Sequence, residues 1–242
     1  MFEYQEKGHK YFLDGKPMTG VTTILGVIAK PALIQWAANM AVDYIAEHIG
    51  DVLTFPIDKE KTEKFLKEAR TAHAKKKTDA GKKGTDVHKE IENIITWALT
   101  GNGVIPKEYV ISTNYEIEDV AKGQIQKFLD WAVGNKVKFL ASEKKVYSEK
   151  LWYAGTLDFL CEIDGKKYIG DLKTSSGIYG REYFFQCAAY RQAAEEMGET
   201  DFHGSIIVRC GKDGSFETKD SFDYETDVKG FNAALQLYRI IN

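Results

Sequence analysis

The sequence predicts an α+β (mixed α/β) domain. Three observations carry this: helix-period segments fill the chain to about residue 134, the hydrophobic period then changes from 3.6 to 2, and helices return among the later strands. The expected architecture is a central mixed β-sheet flanked by helices, with an N-terminal helical lobe. At 242 residues and 43% hydrophobic content the chain can bury one full core, so residues 1–242 are read as a single domain. Within it, residues 1–134 form the hairpin and helical lobe and residues 135–242 the sheet core.

Taken in order, HKYFLDGKPMTG reads as a hairpin, because Asp14-Gly15 between short apolar runs suits a two-residue turn. A helix follows, with Thr22 or Thr23 as its cap and Ile24, Leu25 and Ile28 setting the period. Pro31 starts the next helix, which carries Leu33, Ile34, Trp36, Met40, Tyr44 and Ile45 and ends at Gly50. A charged helix spans about Asp58 to Lys77, where Gly81 and Gly84 are expected to interrupt it. Thr85 to Leu99 is a further helix with Val87, Ile91, Ile94, Ile95 and Ala98 on its apolar side, and Glu116 to Val133 another. Strands are then expected at about Val137–Tyr147, Trp152–Ile163 and Lys166–Lys173, followed by a helix from Arg181 to Met197. Strands near Ser205–Cys210 and Phe216–Ser221 precede a last helix from Asp227 to Ile240.

Composition narrows the function. No apolar run reaches the roughly 18 to 20 residues of a membrane helix, and MFEYQEKGHK has no signal-peptide core, so a cytoplasmic protein without a membrane partner is expected. Cys161, Cys187 and Cys210 are too few and scattered for a disulfide framework or a metal–sulfur cluster. A net charge of −3 argues against a protein that coats nucleic acid. From Lys59 to Lys89, however, eleven Lys and Arg stand against five Asp and Glu, with Lys75, Lys76, Lys77, Lys82 and Lys83 close together. Such a strip suits either phosphate or solvent.

The informative stretch is YAGTLDFLCEIDGKKYIGDLKTS, residues 153–175. If Asp164-Gly165 is a two-residue turn, Ile163 pairs with Lys166 and partner numbers sum to 329, which places Asp158 opposite Asp171. Leu157, Phe159, Cys161, Ile163, Tyr168 and Leu172 then share the other, apolar face. Two carboxylates facing each other about 5 Å apart repel, so a divalent cation between them is the natural expectation, and Mg²⁺ or Mn²⁺ suits oxygen ligands. Lys173, on the same face as Asp171, would stabilise charge growing on a phosphate.

Other residues gain weight from this pair. His88 and Glu92 share a helix face one turn apart, and a neutral imidazole is a suitable ligand for Mn²⁺. Gln186 and Tyr190 likewise share a face, where an amide and a phenol could hold a phosphate or orient the lysine. Glu143 reads equally well as a carboxylate serving a second ion and as a surface Glu beside Lys144 and Lys145.

Together, G-T-x-x-H-x-x-I-E at Gly84–Glu92, G-T-L-D at Gly155–Asp158, G-D-L-K at Gly170–Lys173 and Q-x-x-x-Y at Gln186–Tyr190 resemble the PD-(D/E)XK nuclease superfamily, in particular its RecB-type branch, which includes phage and mitochondrial genome maintenance exonucleases. The resemblance implies a restriction-endonuclease-like core. It implies one or two Mg²⁺ or Mn²⁺ ions held by His88, Asp158, Asp171 and the backbone carbonyl of Leu172, with Lys173 as catalytic lysine and Gln186 and Tyr190 supporting the site and touching DNA. TGVTTIL with Trp36 resembles a segment of phage and mitochondrial members, which would place Thr22 and Thr23 at DNA phosphate; Lys82, Lys83 and Thr85 join that expected DNA-binding set. Leu157 stands where the family's name-giving Pro would be, and Asp171 replaces the commoner Glu. The cysteines that hold an iron–sulfur cluster in some relatives are missing, so no cluster is expected. No phosphate loop occurs in the sequence, so a helicase or single-strand-binding partner would be a separate chain. The resulting expectation is a metal-dependent exonuclease on single-stranded or end-containing DNA, in a bacterial or phage-infected cell. A structure-selective endonuclease and a noncatalytic DNA-binding relative are the alternatives.

Overall fold

The computed structural model describes residues 1–52, 57–109 and 119–242; of Pro31, Ala32, Lys77, residues 79–86 and Asp119 it describes the backbone alone. Helices and a mixed sheet make up the α+β fold expected. The sheet comprises β1 (Phe2–Gln5), β2 (Lys10–Leu13), β3 (Lys16–Gly20), β4 (Lys138–Ser148), β5 (Tyr153–Ile163), β6 (Lys166–Lys173), β7 (Phe202–Cys210) and β8 (Phe216–Ser221). The helices are α1 (Val21–Leu25), α2 (Pro31–His48), α3 (Lys59–Leu99), α4 (Asp119–Gly134), α5 (Glu182–Glu196) and α6 (Tyr224–Ile241).

Two Asp-Gly pairs make the two tight hairpins. Asp14 and Gly15 have φ of 49° and 73°, and Asp164 and Gly165 have 51° and 71°. Positive φ at both central positions is the turn backbone whose twist matches that of the strands it joins. The first turn links β2 to β3, and the second links β5 to β6. The unexpected β1 adds to the other edge of β2; four residues are too short a run for period alone to reveal.

Several boundaries differ from expectation, each for a local reason. α1 starts at Val21 with Gly20 as its cap residue, so Thr22 and Thr23 lie inside the helix and cap nothing. α2 ends at His48, and a short 3-10 turn at Ile49–Asp51 carries the chain through Gly50. Gly81 and Gly84 do not interrupt the charged helix, because α3 runs unbroken for 41 residues. Glycine costs a helix interior only about 1 kcal/mol, and unlike proline it keeps its backbone donor. The expected start of the next helix at Glu116 lies outside the described residues; α4 is described from Asp119.

The chain divides into two compact units, residues 1–28 with 86–242, and residues 29–85. The N-terminal hairpin, the His88 segment and α4 therefore belong with the sheet, and the division falls within α3 rather than near residue 134. In the smaller unit, Tyr44 of α2 packs on Phe65 of α3 and its hydroxyl donates to Glu68 at 3.0 Å.

In the larger unit the strand order is β1-β2-β3-β5-β6-β7-β8, with β4 also paired to β5. β3 runs parallel to β5 and β6 parallel to β7; the other pairs are antiparallel. One core joins Leu160, Ile169 and Ile207 to α1, α5 and α6 through Ile24, Tyr190, Ala193 and Phe231. The second joins Phe159, Cys161, Tyr168, Leu172 and Val208 to α3 and α4 through Val87, Ile91, Ile125 and Phe128. Leu157, expected on the Phe159 side, packs in the first core instead. The alternation of faces along β5 thus breaks between Leu157 and Phe159, at Asp158.

Candidate metal centre

That break has a cause in the pairing. β4 lines β5 from Tyr153 to Glu162, so β3 and β6 must share its opposite edge. β3 holds that edge at Tyr153 and Ala154, and β6 holds it from Phe159 to Ile163. The β5–β6 register follows the expected sum of 329 as far as Phe159 with Gly170 and stops one pair short of Asp158 with Asp171. In place of the next ladder bond, the Asp158 carboxylate accepts from the amide of Leu172 at 2.7 Å.

Asp158 Oδ2 also lies 3.2 Å from Nε2 of His88, brought from α3. Ligand atoms of His88, Glu143 and Asp158 all lie within 4.8 Å of one another. Asp171 is outside this group. It is fully buried, its Oδ2 is 2.5 Å from Lys173 Nζ, and its Oδ1 accepts from Gln186 Nε2 at 2.9 Å. Gln186 donates as well to the Tyr190 hydroxyl at 3.0 Å. The ring of Tyr183 lies 5.5 Å from Lys173 Nζ. Of the expected residues, the structure therefore gathers His88, Asp158, Asp171, Lys173, Gln186 and Tyr190, with the Leu172 amide tying the two acidic strands together.

Electrostatically the two aspartates part company. Burial pushes Asp158 upward, but the hydrogen bond and charge of His88, helped by Lys173 and the Leu172 amide, hold it below the usual carboxylate range. Asp171 is pushed up to about 6 by burial, against the pull of Lys173 and with the charge of Asp158 adding to the rise. Burial alone would lower His88, yet Asp158 holds it above its ordinary value. Lys173 is likewise held high by Asp171 and Asp158 in spite of burial. Glu143 is raised by burial first and by Asp158 second. Carboxylates driven to opposite sides of their normal value by their surroundings are a common property of reaction centres.

The donor set fits a divalent cation. One imidazole nitrogen and carboxylate oxygens match Mn²⁺, and the carboxylates match Mg²⁺. The buried Asp171 Oδ2 is paired with the Lys173 ammonium at 2.5 Å, and a carboxylate oxygen has a further lone pair for a second cation.

Two motif glycines acquire reasons the sequence could not supply. A Cβ on Gly155 would come closer than 3.0 Å to the Tyr190 ring, and one on Gly170 would run into the Phe159 ring. Glu143 was legible only as one of two equal options. Its signal is structural: among strand residues it has φ of 50°.

Other expected residues are outside the ligand group or beyond the described side chains. Glu92 is engaged by Lys89 at 2.6 Å and is not in the ligand group. Thr22 and Thr23 are exposed on α1, and Lys75 and Lys76 are exposed on α3. The side chains of Lys77, Lys82, Lys83 and Thr85 lie outside the described residues. Among the described residues, no helix is long and apolar enough to cross a membrane.

No family model and no curated protein matches the chain. A solved structure titled "Crystal structure of SSO0001" matches at 16% identity and a TM-score of 0.28, over 47% of this chain and 55% of that one. This chain therefore spans little more than half of that protein, and a likeness this weak carries no argument.

Proposed function

We propose that this protein is a divalent-metal-dependent DNA nuclease, an exonuclease acting on single-stranded or end-containing DNA. The observation that carries the reading is the convergence of His88 and Asp158 with the Asp171–Lys173 pair at the one place where the β5 edge is left by both neighbours. The four sequence motifs that resemble RecB-type nucleases supply these same residues.

In this reading His88, Asp158 and Asp171 hold Mg²⁺ or Mn²⁺, with the Leu172 carbonyl as a further ligand. The ion, when bound, makes water a better nucleophile near neutral pH and neutralises charge on the phosphate. Lys173 faces the developing phosphate charge, and its pairing with Asp171 keeps it protonated for that task. Gln186 orients Asp171, and Tyr190 backs Gln186. Exposed Thr22 and Thr23 are offered to backbone phosphates. The setting proposed is the cytoplasm, with a helicase or single-strand-binding protein as partner.

The test uses linear and covalently closed DNA, each single- and double-stranded, incubated with Mn²⁺, Mg²⁺ or chelator. Metal-dependent loss of linear substrates from their ends, abolished in Asp158→Asn and Lys173→Ala, is expected. Cleavage of closed circles would replace the exonuclease with an endonuclease, and equal behaviour of wild type and both variants would overturn the reading.

A further inference from the structure

We infer that Glu143 is a direct ligand of the divalent cation, delivered from β4 to the same point as His88 and Asp158. For the presence of an ion, this inference rests on the nuclease reading.

The strand register brings Glu143 there. Ser142 pairs with Phe159 and Lys144 with Leu157, so Glu143 stands level with Asp158 across the β4–β5 ladder. The face-to-face carboxylate pair that the sequence suggests between β5 and β6 is thus found between β4 and β5. Its ligand atoms and that of His88 lie within 4.8 Å of one another, a span one ion can bridge.

Among the described residues, the Glu143 carboxylate has no close ion-pair partner. Its ion-pair partner is Lys145, at a loose 3.9 Å, and the better bond of that ammonium, at 3.0 Å, goes to the Glu143 backbone carbonyl. Glu162 of β5, by contrast, is paired to Lys138 at 3.1 Å, and Glu92 to Lys89 at 2.6 Å. A half-buried carboxylate set against a second one, with a loose lysine at 3.9 Å and a His88 imidazole that sits on Asp158, is stabilised further by a cation placed between them.

The fully buried Asp171, one residue past the end of the β5–β6 ladder, is already held by Lys173 at 2.5 Å and by Gln186 at 2.9 Å, whereas Glu143 has no such close partner among the described residues. The left-handed backbone of Glu143, at φ 50° in mid-strand, is the conformation that turns its side chain out of the strand's alternation. Residues in such conformations persist where surrounding contacts or function hold them.

The experiment measures Mn²⁺ binding by calorimetry on the full chain, and unfolding temperature in chelator and in Mn²⁺, for wild type and four variants. E143Q and D158N are each expected to weaken Mn²⁺ binding at least tenfold, while E162Q, which removes one negative charge outside the ligand group, leaves it near wild type. E143G relaxes the left-handed backbone, so it should melt at or above the wild-type temperature in chelator and lose the Mn²⁺-induced rise. If E143Q binds as wild type does while D158N fails, Glu143 is not a ligand, and the nuclease reading stands without it. If wild type binds Mn²⁺ through Glu143 but leaves DNA intact, the ligand assignment holds and the nuclease reading falls. Absence of Mn²⁺ binding by wild type overturns both.

Discussion

Gln186 Nε2 donates to Oδ1 of Asp171 at 2.9 Å and to the Tyr190 hydroxyl at 3.0 Å, so a single amide fixes the one carboxylate of the centre that is wholly buried. Both bonds need the amide as donor. Gln186→Ala should therefore lower Mn²⁺ affinity and cleavage rate by ~10 to 100-fold with the unfolding temperature little changed. Gln186→Glu should be worse than Ala, because a carboxylate cannot donate and repels Asp171. Calorimetry and single-turnover cleavage check both, and a fully active Gln186→Glu would remove Gln186 from the site.

The two motif glycines make predictions of different kinds. Gly170 lies against Phe159, which is fully buried among Phe139, Trp131 and their neighbours. Gly170→Ala has nowhere to put its methyl group, so a loss of about 1–3 kcal/mol in urea unfolding is expected. Gly155 faces Tyr190, so Gly155→Ala should disturb the Tyr190–Gln186–Asp171 chain and reduce cleavage as well as stability. If Gly170→Ala unfolds at the wild-type urea midpoint, the packing account of that glycine is incorrect.

These glycines also mark how far the sequence can be read. The register of β5 and β6 was legible because a two-residue Asp-Gly turn admits one pairing, and Ile163 with Lys166 through Phe159 with Gly170 follow it. What local pattern could not reveal is that β3 reaches the same edge of β5, since that depends on residues about 130 positions apart. This long-range pairing accompanies the end of the ladder at Phe159 and the move of Leu157 into the other core. Glu143 was ambiguous for the same reason. Its neighbours Lys144 and Lys145 suggest a surface, and only the β4–β5 register shows that it stands beside Asp158. Gly81 and Gly84 misled in the opposite direction, as local signals overridden by a helix that continues through them.

His88 gives the centre a pH dependence whose sign can be worked out. Its folded value lies above the ordinary 6.5, with Asp158 overcoming burial. In chelator, the stability it contributes is complete below pH 6.5 and disappears as pH rises through the higher folded value. Metal ligation needs the neutral imidazole, so protons compete with Mn²⁺ and apparent affinity should climb with pH until that value is passed. Calorimetry in buffers of different ionisation heat should detect proton release on Mn²⁺ binding in this range. His88→Ala should abolish both the release from this group and the pH-dependent part of stability in chelator; release of the same size in His88→Ala would assign the proton elsewhere.

Glu199 offers a test away from the centre, because its carboxylate takes Lys144 of β4 on one oxygen and Lys167 of β6, at 2.5 Å, on the other. It thereby ties together the two strands that flank β5. The hydrogen bonds from Lys144 and then Lys167 hold Glu199 below the usual carboxylate range despite some burial. A depressed folded value means that its contribution is present above the unfolded value of 4.5 and is lost as pH falls through the folded one. With the side chain still 28% exposed, solvent screening limits the contribution to roughly 1 kcal/mol or less. Glu199→Gln should accordingly have a slightly lower urea midpoint than wild type at pH 7, and the two curves should converge at the acid end. A gap that stays constant from pH 7 to the acid end would mean that the lost amount comes from packing and not from charge.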